Sequence, residues 1–382
     1  RRAVAEPSLR LRIVTGLSLS RPPMRSDIEK RFVGPIIERV FGDYPDLAYV
    51  DAYKRNALPP NVQVTEFYMQ AGAFLNNPAA QVHYISSNYT HVGRDMMRQG
   101  VNVFAQAVAK RVTDGETRYS LSSNSDSLDL FPLMREAAAA GRRMALVAQV
   151  NTKLPFMPRD ADVPASTFDL VLDDRTLDHD LLSTPNGPIA TADYMIGLAA
   201  SGLVKDGGTV QIGIGSLGDA LAYALCLRQQ QNDAYREVLR TSGLLEAFGA
   251  VIDEEGGTGT FDEGLYGATE MFADCFRHLY DAGILKREVY DDATVQRLVN
   301  AKKLSALVTP ATLAALEEAQ AISSPLDASD VDFLVRIGVF KPDVGFEDGM
   351  VVTSSGSRLS PDLADPGARE AIEQACLGDR LA

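Results

Sequence analysis

Short apolar runs of strand length alternate with helix-patterned segments along residues 11–290, and this alternation constrains the fold more than any other feature of the chain. "LRIVTGL" at 11–17 has a strand pattern. "SDIEKRFVGPIIERVF" at 26–41 has that of an amphipathic helix, with Ser26 as N-cap and Glu29 completing a capping box. "LAYVDAY" (47–53), "VQVTEFYM" (62–69), "VNVFAQAVAK" (101–110), "MALVAQV" (144–150) and "FDLVLDD" (168–174) are further strand candidates. Between them lie helices such as "FPLMREAAAAG" at 131–141, which Gly141 stops. Strands alternating with helices predict an α/β protein with mainly parallel sheets.

A chain of 382 residues exceeds one ordinary core, so two lobes are expected. Pro185, Asn186, Gly187 and Pro188 interrupt the pattern and place a lobe boundary near residue 190. Residues 1–190 form the expected N-terminal lobe, and 191–300 the start of a second α/β lobe. That second lobe opens with a helix over 191–208, capped by Thr191 and ended by Gly207, followed by the strand "TVQIGI". After residue 300, "SALVTPATLAALEEAQAI", "DASDVDFLVRIGV" and "GMVVTSSGSRL" predict two helices and a β-hairpin, a small α+β module inserted near the C-terminus. A winged helix has the same outline, but Glu317, Glu318, Asp327, Asp330 and Asp332 make this surface hostile to DNA.

A net charge of −14 argues against nucleic acid and anionic membranes as partners, while leaving room for a local basic pocket. The longest apolar runs are too short to span a bilayer, and Arg10 and Arg12 interrupt any signal-peptide core. The sequence has no initiating Met, so a fragment or trimmed chain is expected. Three scattered cysteines (Cys226, Cys275, Cys376) make no disulfide framework, which suits a reducing cytoplasm. His83, His91, His179 and His278 lack metal-ligand spacing, and no metal site is expected.

Chemistry concentrates in "GGTVQIGIGSLGDALAYAL" at 207–225, where Gly213, Gly215 and Gly218 spell G-x-G-x-x-G after a strand and before a helix. One reading is a dinucleotide turn, whose partner is a ribose-binding acid about 20 residues on. That stretch is polar and helical here, and the next strand-like run, "AFGAVID", ends only at Asp253. A second reading makes Ser216 a nucleophile with His278 and a downstream acid, although Ile214 stands where the elbow pattern has glycine. A third reads the glycines as close strand–helix packing alone. Further along, Glu270 sits at a strand–helix junction in "GLYGATEMFADCFRHLYDAGIL", either as a helix N-terminal charge or as an active group.

Together these two segments resemble the acetyl-CoA hydrolase/transferase family, which includes 4-hydroxybutyrate and succinyl:acetate CoA-transferases. "AQVNTKLPFM" (148–157) resembles the family's VNP segment, and "PIATADYMIGLAASGLVKDGGT" its helix before the loop, so the likeness runs in order from about 85 to 290. Gly218 stands where the family has proline, Ala268 where it has histidine, and Thr152 where it has the VNP proline. About 59 residues separate Gln211 from Glu270, more than in typical members, and nothing after residue 300 resembles the family's second CoA-contacting region. The resemblance therefore implies two CoA-transferase-like lobes, the second truncated. It implies Glu270 as nucleophile, and Gln211, Gly213, Ile214, Gly215 and Ser216 as CoA or oxyanion contacts. It also sets Asn151 in the same cleft, against its plain reading as a turn residue. Acyl-CoA and a small carboxylic acid would be the substrates, with no permanently bound cofactor and a homodimer as the assembly. Acyl-CoA hydrolysis and a non-catalytic CoA-binding relative stay open as alternatives.

Overall fold

In the computed structural model, residues 2–69, 72–182, 187–269 and 272–382 are described, apart from the side chains of Ser125 and Asp126. The chain is α/β and divides into two compact units. The first comprises Arg1–Met195 together with Gly213–Ala220 and Thr269–Asp274; the second comprises Ile196–Ile212, Leu221–Ala268 and Cys275–Ala382.

The first unit opens with α1 (Arg2–Ala5), β1 (Leu11–Thr15), α2 (Asp27–Phe41), α3 (Val50–Lys54) and β2 (Val62–Glu66). β1 and β2 pair in parallel. The capping box of α2 forms as its sequence predicts: the Glu29 N–H donates to Ser26 Oγ at 3.2 Å, and the Ser26 N–H to Glu29 Oε2 at 3.0 Å. The strand expected at 47–53 is instead α3. Its apolar residues fall at Leu47, Val50 and Tyr53, a spacing of three, and Val50 and Tyr53 are buried on one helical face.

After α4 (Pro78–Val82) and α5 (Val92–Arg98) come β3 (Val103–Thr113), β4 (Glu116–Ser120), α6 (Leu130–Ala139), β5 (Ala145–Val150), β6 (Asp162–Pro164) and β7 (Leu170–Leu172). They build a five-stranded sheet in the order β6-β4-β3-β5-β7. β3, β5 and β7 are parallel, while β4 and β6 are antiparallel additions. Asp114 and Gly115, at φ 52° and 83°, make the tight β3–β4 turn that an Asp-Gly pair favours. Leu130, Phe131 and Met134 of α6 close over Val108, Leu146, Ala148 and Val150, and this apolar contact is the unit's main core.

The second unit holds α7 (Thr191–Ser201) from Ile196 onward, then β8 (Thr209–Gln211). α8 (Ser216–Gln230), α9 (Asn232–Thr241) and α10 (Leu244–Glu255) lead to β9 (Tyr266–Ala268) and α11 (Asp274–Asp281). α7 ends at Ser201, earlier than Gly207, and the buried Arg228 guanidinium donates to the carbonyls left free there, those of Ser201 and Val204, at 2.9 and 2.6 Å. "AFGAVID", read as strand-like, is part of α10, since a short apolar run does not distinguish strand from helix by periodicity.

α12 (Ala293–Asn300), α13 (Pro310–Glu318), α14 (Ala328–Arg336), the antiparallel strands β10 (Gly345–Glu347), β11 (Met350–Val352) and β12 (Arg358–Leu359), and α15 (Pro366–Cys376) share a separate core. That core already includes Val295 and Leu298. α15 is a helix the pattern reading passed over; Asp365 caps it, with Pro366 in its first turn.

Candidate functional site

The glycine loop owes its position to the parallel pair β8 and β9. Gln211 lies opposite Ala268, and the Ile212 N–H donates to the Ala268 carbonyl at 3.2 Å. Beyond that bond the strands part. One chain enters Gly213–Gly215, and the other reaches Thr269. Two segments far apart in sequence thus leave the same sheet edge side by side, at strand carboxyl ends, where open α/β sheets place their ligands.

Asp206 sets this register. Its carboxylate accepts the N–H groups of Asp262, Glu263 and Gly264 at 2.9, 3.0 and 2.9 Å, and that of Gly207 at 3.0 Å. It stitches the chain entering β9 to the chain entering β8. Burial alone would raise its pKa, but the four backbone donors outweigh it and hold the carboxyl below the usual aspartate value. Gly264 itself sits at φ +84°, and a Cβ there would lie 2.9 Å from the Ile284 carbonyl, so glycine is required.

Gly213, Ile214 and Gly215 are exposed, and Ser216 is half-buried as the first residue of α8. Gly215 stands at φ +134°, a backbone region that glycine tolerates, and its carbonyl accepts the Asp219 N–H at 3.1 Å. A Cβ added at Gly213 would meet nothing within 4 Å. The first amides of a helix have no intrahelical acceptor, so the start of α8 presents N–H donors beside an open backbone. Gln211 is exposed at the end of β8. Glu270 follows Thr269 in the chain and lies outside the described residues.

Asn151 has a different environment. It is fully buried at the end of β5; its amide donates to the His179 carbonyl at 3.1 Å, and its Oδ1 accepts the Lys153 N–H at 3.0 Å. Both polar ends of the side chain hold the turn. Ser216 belongs to the first unit, and His278 to α11 in the second. The dinucleotide reading expects its acid at the end of a strand about 20 residues past the loop; that stretch is α9, and no strand lies between β8 and β9.

Pattern reading passed over three buried or half-buried polar residues. Asp206 is signalled only by its Asp-Gly-Gly turn. Arg228, 2% exposed, donates to the carbonyls of Ser201, Val204 and Gly259 and stacks over Phe261 at 4.2 Å. Glu66 is fully buried at the end of β2, where it accepts the Ser18 N–H at 2.6 Å and the Tyr53 hydroxyl at 3.4 Å. Burial first, and then the Glu66 charge, push the Tyr53 phenol above its usual pKa. Among the described residues, no three His, Cys, Asp or Glu side chains are grouped to hold a metal ion, and no helix is long and apolar enough to cross a membrane.

No family model matches the sequence, and no curated protein matches it. Among solved structures, the chain is similar to a point mutant of RipA, with 17% identity and a TM-score of 0.44 over 74% of this chain and 57% of that one. It is similar to RipA from Yersinia pestis at 15% identity and a TM-score of 0.43, covering 74% and 58% of the two chains. It is also similar to a 4-hydroxybutyrate CoA-transferase from Porphyromonas gingivalis at 18% identity and a TM-score of 0.37, covering 74% and 56%. The chain spans less than three fifths of each of these proteins.

Proposed function

We propose that the protein transfers coenzyme A between an acyl-CoA and a carboxylic acid, with Glu270 as the nucleophile. The observation that carries this reading is the β8–β9 register. Gln211 opposite Ala268 brings the glycine loop and the residue preceding Thr269-Glu270 out of one sheet edge. The sequence motifs at these two places resemble those of the acetyl-CoA hydrolase/transferase family, apart from Gly218 and Ala268.

In this reading the Glu270 carboxylate attacks the thioester carbonyl, the C–S bond breaks, and an acyl–glutamyl anhydride forms with release of the CoA thiolate. The thiolate then attacks the glutamyl carbonyl and expels the first carboxylate, leaving a glutamyl-CoA thioester. A second carboxylate attacks that thioester to form a new anhydride, and the returning thiolate takes its acyl group and frees Glu270. Covalent catalysis divides one hard exchange into easier steps. Each addition generates an oxyanion, and the backbone N–H groups between Gly213 and Ser216, with the exposed Gln211 amide, are the donors suited to it. Asn151 contributes indirectly, by holding the turn after β5.

A non-catalytic CoA-binding relative is the second reading, favoured by Ala268 in the place of the family's histidine. Borohydride reduction after incubation with acyl-CoA separates the two. A glutamyl-CoA thioester is reduced to an alcohol and leaves a mass-shifted Glu270 peptide. An unshifted peptide under conditions where acyl-CoA binds refutes the transferase. Product analysis with and without an acceptor acid then distinguishes transfer from hydrolysis.

A further inference from the structure

We propose that the exposed face of α10 is a docking surface for a basic amphipathic helix of another protein. α10 fully buries only Ile252. Its exposed side carries Ala247, Phe248 and Val251, the i, i+1, i+4 set that forms one short stripe, while Leu244 and Leu245 pack against Leu198, Tyr235 and Leu239. Phe248 is 54% exposed and Val251 48%, while Leu203, also exposed, abuts Gly256 just past the helix end. A stripe of this kind is what a partner helix covers.

Charge selects the partner. Glu246, Asp253, Glu254 and Glu255 are exposed, enter no ion pair among the described residues, and share the helix with no Lys or Arg. Three of them occupy the last turn, where the helix dipole favours cations and penalises acids. Glu254 and Glu255 follow Val251 by three and four residues and so adjoin the stripe, whereas Glu246 and Asp253 fall on the other side of the helix. A partner whose apolar ridge is flanked by Lys or Arg covers the stripe and meets Glu254 and Glu255 in one step. A second copy of α10 would instead set acids against acids.

The test uses the whole chain and a fluorescently labelled Leu/Lys peptide of about five helical turns, with a control of equal composition whose leucines are dispersed around the helix. Anisotropy should show the amphipathic peptide binding at least about tenfold more tightly than the control. The double variant Phe248→Ser, Val251→Ser should lose that preference with an unchanged melting temperature, since both side chains are exposed. Glu254→Lys with Glu255→Lys should weaken binding and flatten its salt dependence. Equal binding by the double serine variant overturns the proposal. So does a wild-type dimer in sedimentation that the same variant dissolves, because a second copy then covers the face.

Discussion

The Asp206 carboxylate accepts the Gly264 N–H at 2.9 Å, and this bond joins residues that lie on either side of three intervening helices. With its companions at Asp262 and Glu263, it fixes how β9 enters beside β8. Asp206→Asn should lower stability by about 1–3 kcal/mol, since the amide offers one acceptor where the carboxylate offers two. The folded pKa lies below the ordinary value near 3.9, so the carboxylate's contribution is complete above that value and is lost as pH falls through the folded one. Acid titration of thermal stability should therefore be shallower in the Asn variant than in the wild type over that range.

Gly213→Ala separates folding from function at the loop. The backbone there is outside the left-handed region and a Cβ meets nothing within 4 Å, so the melting temperature should stay within the equivalent of about 0.5 kcal/mol. A ligand approaching that backbone would meet the new methyl group, and trapping of the glutamyl thioester should fall at least about tenfold. Undiminished trapping would remove the loop from the site.

Glu270→Ala should abolish CoA transfer, by about a thousandfold or more, with little effect on the thermal melt. Initial-rate measurements with saturating acyl-CoA and acceptor acid test this directly. Turnover at the wild-type rate would sink the assignment.

Arg228 serves folding. Its guanidinium satisfies three carbonyls in a setting only 2% exposed, so Arg228→Met leaves them without donors and should cost about 3 kcal/mol or more. Burial lowers the Arg228 pKa, yet a guanidinium stays charged where an ammonium need not. Arg228→Lys should therefore rescue little, as urea melts of the two variants would show.

Ser122 is buried at φ +58°, and its hydroxyl finds no partner among the described residues. Ser122→Gly removes both the left-handed strain and a buried polar group. Stability should rise by about 1 kcal/mol, offset in part by the added freedom of the unfolded chain. A lower melting temperature would show that the hydroxyl is needed.

Much of the architecture was readable wherever local chemistry decides alone. The Ser26–Glu29 box needs only neighbours in sequence, and so do the strand runs of β3 and β5 and the glycine loop between β8 and α8. Errors arose where short apolar runs depend on what packs against them. "LAYVDAY" and "AFGAVID" are short apolar runs of strand length, but Val50, Tyr53 and Ile252 find their cores as helical faces. Arg228 carries no local signal, because its three acceptors come from distant turns.

The sequence alone determined that the chain is α/β, that Gly213–Ser216 turns from a strand into a helix, and that a carboxylate stands in "GATEMF". These properties reside in side-chain pattern and backbone freedom over a few residues. Only the tertiary structure decided that the loop and the Thr269 segment leave one sheet edge together, and that Asn151 is buried with its amide on the His179 carbonyl. Both facts follow from hydrogen bonds between remote segments, Asp206 to the chain before β9 and Asn151 to His179. No local pattern encodes such a pairing, because its energy exists only once the segments have met.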